Sequence, residues 1–291
     1  MSQSHTASDG EPAKTLCVGR YTVDLPQSAT NVRLAQSFRG VDIDVIHPAT
    51  NAALDEALKR KLAEEEKQVG AAPTLVSAHT GNKDDSVQIW RSGDNLYWVH
   101  GLLLKQDTGF LFSAGVTGES LQEAKTVIGE LAQTIQLRDI SAVPAQPGFC
   151  IERGFIPGGY AGGETATLAA EFPARDASLL VSTNSEAQNI GGSLLKRLTS
   201  LPVPLANLLS SDTEILRRGE KTVAGRTGDE YAYVVKDSKD VSFEWNAQTG
   251  DNHASEPSMK ITMDTGSAVS LDGRSALIGL WEGLLTSVKL R

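Results

Sequence analysis

The side chains best suited to acid–base or metal chemistry in this chain are its five histidines: His5, His47, His79, His100 and His253. None of them is spaced from a second ligand type in a pattern that predicts a metal site. His79, followed by Asp84 and Asp85, is the best candidate for acid–base catalysis, but a catalytic site needs several converging groups. We therefore predict a structural or surface role for each histidine.

Paired carboxylates are a second arrangement that could do chemistry, and they occur at Asp42/Asp44 and at Asp229/Glu230. On predicted strands such pairs more often form a solvated face than a catalytic dyad, and the acidic run at 64–66 is also expected to be solvated. The sequence contains no Gly-x-Ser-x-Gly, His-Glu-x-x-His or Gly-x-x-x-x-Gly-Lys motif of hydrolases, zinc proteases or phosphate-binding loops. We predict no catalytic residue, no metal and no cofactor, and we do not expect an enzyme.

Both ends of a central seam in the chain occur a second time. The pattern Thr-Ile-Gln-Leu-Arg at 134–138 returns as Ser-Val-Lys-Leu-Arg at 287–291. The pattern Cys-Ile-Glu-Arg at 150–153 matches an earlier Cys-Val-Gly-Arg at 17–20. The sequence therefore predicts two copies of one domain in tandem.

An apolar stripe before each closing pattern extends the repeat inward. Its residues have the i, i+3, i+4, i+7 spacing of one helix face. They are Ala124, Val127, Ile128 and Leu131 in the first copy and Leu277, Leu280, Trp281 and Leu284 in the second. Each copy is predicted to end with a helix and a short strand, and Trp281 is predicted to occupy the site of Ile128.

Each copy is predicted to be an α+β domain, an antiparallel sheet with two helices on one face. Alternating apolar and polar residues predict the strands, and further helices are predicted near 51–68 and 189–200. The predicted boundaries are a disordered leader at 1–14, an N-terminal lobe at 15–138, a linker at 139–148, a C-terminal lobe at 149–291 and an insertion near 246–257.

The composition narrows the classes of partner. The formal net charge is −9, so a nucleic-acid partner is not expected, because phosphate binding needs a clustered basic face. A basic or electrically mixed protein partner fits better. No apolar run is long enough to predict a membrane span. The leader contains no apolar segment typical of a secretory signal, which leaves the compartment open.

The two cysteines, Cys17 and Cys150, stand at equivalent positions of the two copies. One interpretation is that each is a small buried residue in the first strand of its own domain. The other is a disulfide, which requires Cα atoms within about 7 Å of each other. The sequence leaves both interpretations open.

The opening segments of the two copies, residues 17–26 and 148–156, resemble those of the two-lobed immunity proteins of type VI secretion lipase effectors. The likeness covers nearly the whole chain after the leader. In that family, two similar α/β lobes form a clamp around a phospholipase toxin and stop it acting on membranes. The resemblance implies an inhibitor without catalytic residues, a cognate secreted lipase or phospholipase as its partner, and the periplasm as its compartment.

Two other functions stay open: a hydrolase or ligand-binding enzyme that uses the cleft between the lobes, and a cell-envelope interaction module without a toxin partner. The insertion near 246–257 is the predicted contact loop, because long loops in compact domains often bind and its acidic residues suit a basic partner. The predicted partner-binding residues are Trp245, Asp251, His253, Glu256, Asp229 and Glu230.

Overall fold

The computed structural model describes residues 11–80, 85–186, 212–250 and 255–291. Antiparallel strands make up most of the secondary structure in these ranges, together with three α-helices, so the fold is α+β as predicted. The helices are α1 (Asn51–Val69), α2 (Leu121–Thr134) and α3 (Leu271–Ser287). None of the helices in these ranges is both long and apolar enough to cross a membrane.

Both copies of the repeat consist mainly of strands in the described ranges. In chain order they are β1 (Ala13–Val18), β2 (Tyr21–Pro26), β3 (Thr30–Phe38), β4 (Val41–Ile46), β5 (Thr74–Thr80), β6 (Asp85–Ser92), β7 (Leu96–Lys105), β8 (Thr108–Thr117), β9 (Gln136–Leu137), β10 (Gly148–Ile151), β11 (Gly154–Pro157), β12 (Thr165–Phe172), β13 (Ala177–Asn184), β14 (Thr213–Val223), β15 (Arg226–Val235), β16 (Val241–Ala247), β17 (Ser258–Thr265) and β18 (Lys289–Leu290).

These elements form two compact units, each built from non-contiguous parts of the chain. Unit 1 takes in the described residues of 1–34, 141–145 and 165–291. Unit 2 takes in those of 35–140 and 146–164.

The main strands of the two units follow the same order. In unit 2 the order is β4-β8-β7-β6-β5, and the end of β3 pairs with β4. In unit 1 the order is β13-β17-β16-β15-β14, and β12 pairs with β13. The two copies read from the sequence therefore share one strand order.

The two helices of unit 2 pack on opposite faces of its sheet, and not on one face as predicted. Leu54 of α1 forms a core cluster with Leu102 and Leu111. Gly101, the neighbour of Leu102 on β7, faces α2 instead, because a Cβ added to it would lie 2.3 Å from Ile128 Cγ2. Successive residues of a strand point to opposite faces, so the sheet lies between the helices.

Helix α3 buries its predicted stripe against the main strands of unit 1. Trp281 is 0% exposed, and its ring lies 5.4 Å from that of Phe243 on β16. β16 corresponds to β7, where Ile128 faces Gly101. Trp281 therefore occupies the site that Ile128 has in unit 2, as predicted. The second helix predicted for this copy, at 189–200, lies outside the described residues.

The opening hairpin of each copy pairs with the closing strand of the other copy. β11 pairs with β9, which sets Phe155 opposite Gln136. β18 pairs with β2, which sets Leu290 opposite Tyr21. The units therefore depart from the contiguous lobes predicted at 15–138 and 149–291. A two-residue strand carries too little local pattern to specify which backbone edge it joins, so the fold decides the pairing.

The largest difference in loop length between the copies falls where the insertion was predicted. Residues 248–257 join β16 to β17, whereas residues 106 and 107 join β7 to β8 in the first copy. Residues 251–254 of this loop lie outside the described ranges.

Candidate functional site

Three of the predicted contact residues are buried in unit 1: Trp245, Asp229 and Glu230. Trp245 is 0% exposed, and its indole Nε1 donates to the Lys221 carbonyl at 2.9 Å. Glu230 stands opposite Trp245 and accepts a hydrogen bond of 2.7 Å from Trp281 Nε1. Asp229 is also buried. The expectation that Asp229 and Glu230 form a solvated face is wrong, because β15 lies inside the sheet and α3 covers Glu230. We assign these three residues to the stability of unit 1.

The predicted contact loop has an anchored base. Arg226 donates from Nη1 to the Pro257 carbonyl at 2.8 Å and from Nη2 to the Gln248 carbonyl at 2.5 Å. Gly250 N donates to the Glu256 carbonyl at 2.8 Å. One guanidinium therefore holds both ends of the loop together.

Glu256 is the one predicted contact residue of the loop that the described ranges include. It is partly exposed at the loop base, and a Cβ added to Gly250 would lie 1.9 Å from its Oε2. A side chain at position 250 would therefore require Glu256 to shift. Asp251 and His253 lie outside the described residues. Arg226 was missed from the sequence because its acceptors are distant backbone carbonyls, which no side-chain pattern marks.

A serine, an imidazole and a carboxylate form a hydrogen-bonded row inside unit 2. His100 Nδ1 lies 3.1 Å from Ser113 Oγ, and His100 Nε2 lies 3.2 Å from Glu65 Oε2. These are the groups of a hydrolase triad. Ser113 is 3% exposed and His100 is 0% exposed, so the hydroxyl has no open path to a substrate. The row therefore fills a polar core between α1 and the sheet.

Glu65 corrects the expectation that the acidic run at 64–66 is solvated throughout. Glu64 and Glu66 are exposed, whereas Glu65 is buried. The helical periodicity of α1 turns this one carboxylate toward β7, where His100 pairs with it. A tertiary contact across 35 positions carries no local signal, so the sequence did not connect Glu65 with His100.

The other titratable candidates lie apart from one another. Asp42 and Asp44 are both exposed on β4, as predicted, and His47 and His79 are exposed as well. His5, Asp84 and His253 lie outside the described residues. Within the ranges that the structure describes, no three His, Cys, Asp or Glu side chains lie together in a way that could hold a metal ion.

The arginine that ends each copy ties down an opening hairpin. Arg138 donates from Nε to the Gly154 carbonyl at 2.9 Å and from Nη2 to the Ile151 carbonyl at 2.9 Å. Arg291 donates from its backbone N to the Arg20 carbonyl at 3.0 Å. The arginine that ends each copy therefore has a structural role, because it stabilises an opening hairpin through hydrogen bonds to its carbonyl groups.

Glu152 lies at the turn of the β10–β11 hairpin, close to several cationic groups. Burial raises the pKa of its carboxyl above the ordinary value, and the charges of Arg153, Arg138 and His47 act in the opposite direction. Its backbone N donates to Gln36 Oε1 at 3.2 Å. Desolvation is the larger effect, so the fold favours the protonated carboxyl.

Both cysteines are disulfide-bonded and neither is free. Cys17 and Cys150 are each 1% exposed. Of the two interpretations that the sequence left open, the structure has the disulfide.

Comparison with known proteins gives one family and one fold. A family model of the Tle cognate immunity protein 4 C-terminal domain matches residues 142–291. No curated protein sequence matches the chain.

Three solved structures share the fold of almost the whole chain. The apo structure of the immunity protein TplEi of the type VI secretion system from Pseudomonas aeruginosa is 20% identical, with 96% of this chain and 97% of that chain covered and a TM-score of 0.78. The crystal structure of the Tle4–Tli4 complex is similar to the same extent, at 20% identity, 96% and 97% coverage and a TM-score of 0.78. TplEi from the same organism in complex with an "L" peptide is 20% identical, with 96% and 98% covered and a TM-score of 0.75.

Proposed function

Because the chain belongs to the Tle cognate immunity protein 4 family through its match over residues 142–291, we propose that it binds a cognate type VI secretion lipase effector and inhibits it. The family match is the observation that carries this proposal. Its solved structural relatives include an immunity protein in complex with Tle4 and another in complex with a peptide. These relatives support a protein partner, and we propose that binding keeps the lipase from membrane lipid.

Inhibition through contacts on both units is the mechanism that we favour. Two units with one strand order offer two similar sets of surfaces in a single chain. When two modest contacts belong to one chain, the second becomes effectively intramolecular and can raise the overall affinity by about 10²–10⁴. We propose that the effector is gripped by both units in this way.

The chain is expected to have no catalytic activity of its own. Its hydrolase-like row at Glu65, His100 and Ser113 is enclosed in unit 2, and a nucleophile must reach the carbonyl that it attacks. Replacing Ser113 with alanine should therefore leave neutralisation of the effector intact.

The periplasm is the compartment that we propose. Structural disulfides form and persist in oxidising compartments, which include the bacterial periplasm. Both cysteines of this chain are disulfide-bonded, and immunity proteins of the type VI secretion system, which this chain resembles in family and fold, act in the periplasm. Such a bond is rare in cytosolic proteins, because their thiols are kept reduced.

The contact surface that we propose includes the loop between β16 and β17, with Glu256 at its base. The net charge of −9 suits an effector surface that is basic or mixed in charge. Arg226 holds the loop ends, so less conformational entropy is lost when the loop binds.

A titration of lipase activity tests the proposed function. The purified effector is assayed on phospholipid vesicles while the chain is added from sub-stoichiometric amounts to excess. We expect activity to fall to the background at about one chain per effector. Undiminished activity at a large excess would overturn inhibition, and phospholipid hydrolysis by the chain alone would favour the enzyme hypothesis.

Hydrogen–deuterium exchange on the same complex tests whether both units contact the effector. Backbone amides of both units should gain protection when the effector is bound. Protection confined to one unit would reject the two-sided mechanism and leave inhibition standing. The test uses the full chain, because each unit contains the opening hairpin of the other copy and segments 15–138 and 149–291 would each lack part of a unit.

A further inference from the structure

Strand β5 is the outer strand of the main sheet of unit 2, at the end of the strand order. It pairs with β6 on one side, and on the other side the described part of the chain supplies no strand. All seven residues of β5 are exposed, and Leu75 and Val76 are 51% and 54% exposed. An exposed edge is a ready template for another extended chain, because its outer backbone N–H and C=O groups are unpaired.

The corresponding strand of unit 1, β14, shows how an edge is normally protected. Both strands are irregular at the same place, between Leu75 and Ser77 in β5 and between Ile215 and Arg217 in β14. After that point β14 continues with Arg-Arg-Gly-Glu-Lys, whereas β5 continues with Ser-Ala-His-Thr. Charged side chains on an edge oppose the addition of a further strand. The edge strand of unit 1 is therefore charged, with Arg217 and Lys221 paired to Glu282 of α3 and Arg218 and Glu220 also on this stretch. β5 contains no Lys, Arg, Asp or Glu.

A hollow beside the C-terminal end of β5 favours a positively charged side chain of a partner. Its volume is 180 Å³, and it lies between the first turn of α1 and the strands β5 to β7. Its lining combines two carboxylates with polar and apolar side chains: Asn51, Leu54, Asp55, Thr80, Asp85, Ser86 and Leu102. Such a lining suits a lysine or arginine, whose aliphatic stem packs on leucine while its charged end meets a carboxylate.

We propose that the free edge of β5 receives an extended segment of the lipase effector as an added strand, with a basic side chain of that segment in the hollow. The main-chain hydrogen bonds of the added strand would supply affinity, and the hollow would supply specificity. Apolar side chains of the segment would cover Leu75 and Val76. The inference rests on the proposed function and names the surface of unit 2 that acts in it.

Hydrogen–deuterium exchange of the complex with the purified effector reports directly on the edge. We expect the amides of residues 74–80 to gain protection when the effector is bound, because the added strand accepts their outward hydrogen bonds. The amides of β14, at residues 213–223, serve as the internal control and should not change. Equal exchange of residues 74–80 in the free chain and in a saturated complex would overturn the proposal.

A matched pair of substitutions tests the edge by affinity. Leu75→Lys places a charge on β5, and Ile215→Lys places the same charge at the corresponding position of β14, where the side chain is 46% exposed. We expect Leu75→Lys to weaken binding of the effector at least about tenfold and Ile215→Lys to change it less than about twofold. Both positions are exposed, so thermal unfolding should show the two variants folded. Equal affinities of the two variants would contradict a role for β5.

The hollow is tested by a charge reversal with its own control. Asp55→Lys reverses a carboxylate of the hollow, and Glu64→Lys makes the same change of net charge on an exposed position of α1 outside it. Asp55→Lys should weaken binding more than Glu64→Lys. Equal losses would mean that long-range attraction, and not the hollow, recognises the effector.

Three outcomes separate this inference from its premise and from self-association. If the wild-type chain fails to bind the effector, the proposed function fails. If wild type binds and Leu75→Lys binds equally well, only the β5 edge is rejected. A wild-type dimer in sedimentation that Leu75→Lys converts to a monomer would assign the edge to a second copy of this chain and overturn the proposal.

Discussion

Trp281 joins hydrophobic packing and polar satisfaction in a single side chain. Replacing it with alanine removes the ring that lies 5.4 Å from Phe243 and leaves the buried Glu230 without its indole donor. We expect the free energy of unfolding in urea to fall by about 3–5 kcal/mol. As a control, Leu271→Ala on the same helix, at a residue that is 75% exposed, should change it by less than about 0.5 kcal/mol. Equal effects would contradict the placement of α3.

Glu152 should make stability depend on pH in a defined direction. Burial raises the pKa of its carboxyl from the ordinary 4.5, so between that value and the raised pKa the folded state binds more proton than the unfolded state. The stability contributed by the protonated carboxyl is complete below pH 4.5 and is lost as the pH rises through the folded pKa.

Glu152→Gln isolates this contribution, because glutamine keeps the shape and does not titrate. The free energy of unfolding of the wild type, minus that of the variant, should decrease as the pH rises from about 4 to about 7. Urea unfolding at several pH values measures the difference. A difference that is constant, or that increases with pH, would contradict the raised pKa.

At the scale of elements, the loop between β16 and β17 can be changed without changing the sheet. Residues 250–255 are replaced with a shorter Gly-Ser turn, while Gln248 and Pro257 keep their bonds to Arg226. We expect a nearly unchanged melting temperature and a neutralisation of the effector that is at least about tenfold weaker, about 1.4 kcal/mol. Full neutralisation by the shortened chain would show that the loop is not a contact.

Arg226→Ala is the companion variant for the loop. It keeps every residue of the loop and removes the guanidinium that joins the loop ends. If the anchored base pre-organises the loop, this variant should neutralise the effector less well than wild type and better than the variant with the shortened loop. Neutralisation equal to that of wild type would assign Arg226 to local stability only.

At the scale of the whole molecule, the disulfide-bonded cysteines are expected to contribute a large part of the stability. Removing a native disulfide commonly costs about 2–5 kcal/mol, because the unfolded chain regains conformational freedom. Cys17→Ser with Cys150→Ser should therefore lower the free energy of unfolding by about that amount. The wild type under reducing conditions should match the double variant, and equal stability of oxidised and reduced wild type would contradict the bond.

Each opening hairpin belongs to the unit that the other copy mainly forms. Each opening hairpin completes the unit of the other copy through the pairs β9–β11 and β2–β18. The chain crosses between the units more than once. A change at one hairpin is therefore expected to affect the unit formed mainly by the other copy.

The sequence by itself determined the features that depend on local periodicity. The i, i+3, i+4, i+7 stripe located α3 and set Trp281 in register with Ile128, because helical spacing alone decides which side chains share a face. Alternation located the strands for the same reason. The repeated endings at 134–138 and 287–291 indicated two copies, and the opening segments indicated the family.

Tertiary structure alone decided which distant edges and faces meet. The pairing of β18 with β2 joins positions near the two ends of the chain, and the sequence around a two-residue strand does not specify its neighbour. Burial of Glu65 and Glu230 depended on His100 and Trp281 arriving from other elements, since a hydrogen bond from a partner lowers the free-energy cost of burying a carboxylate. The opposite faces taken by α1 and α2 likewise followed from packing across the whole sheet, which no window of local pattern contains.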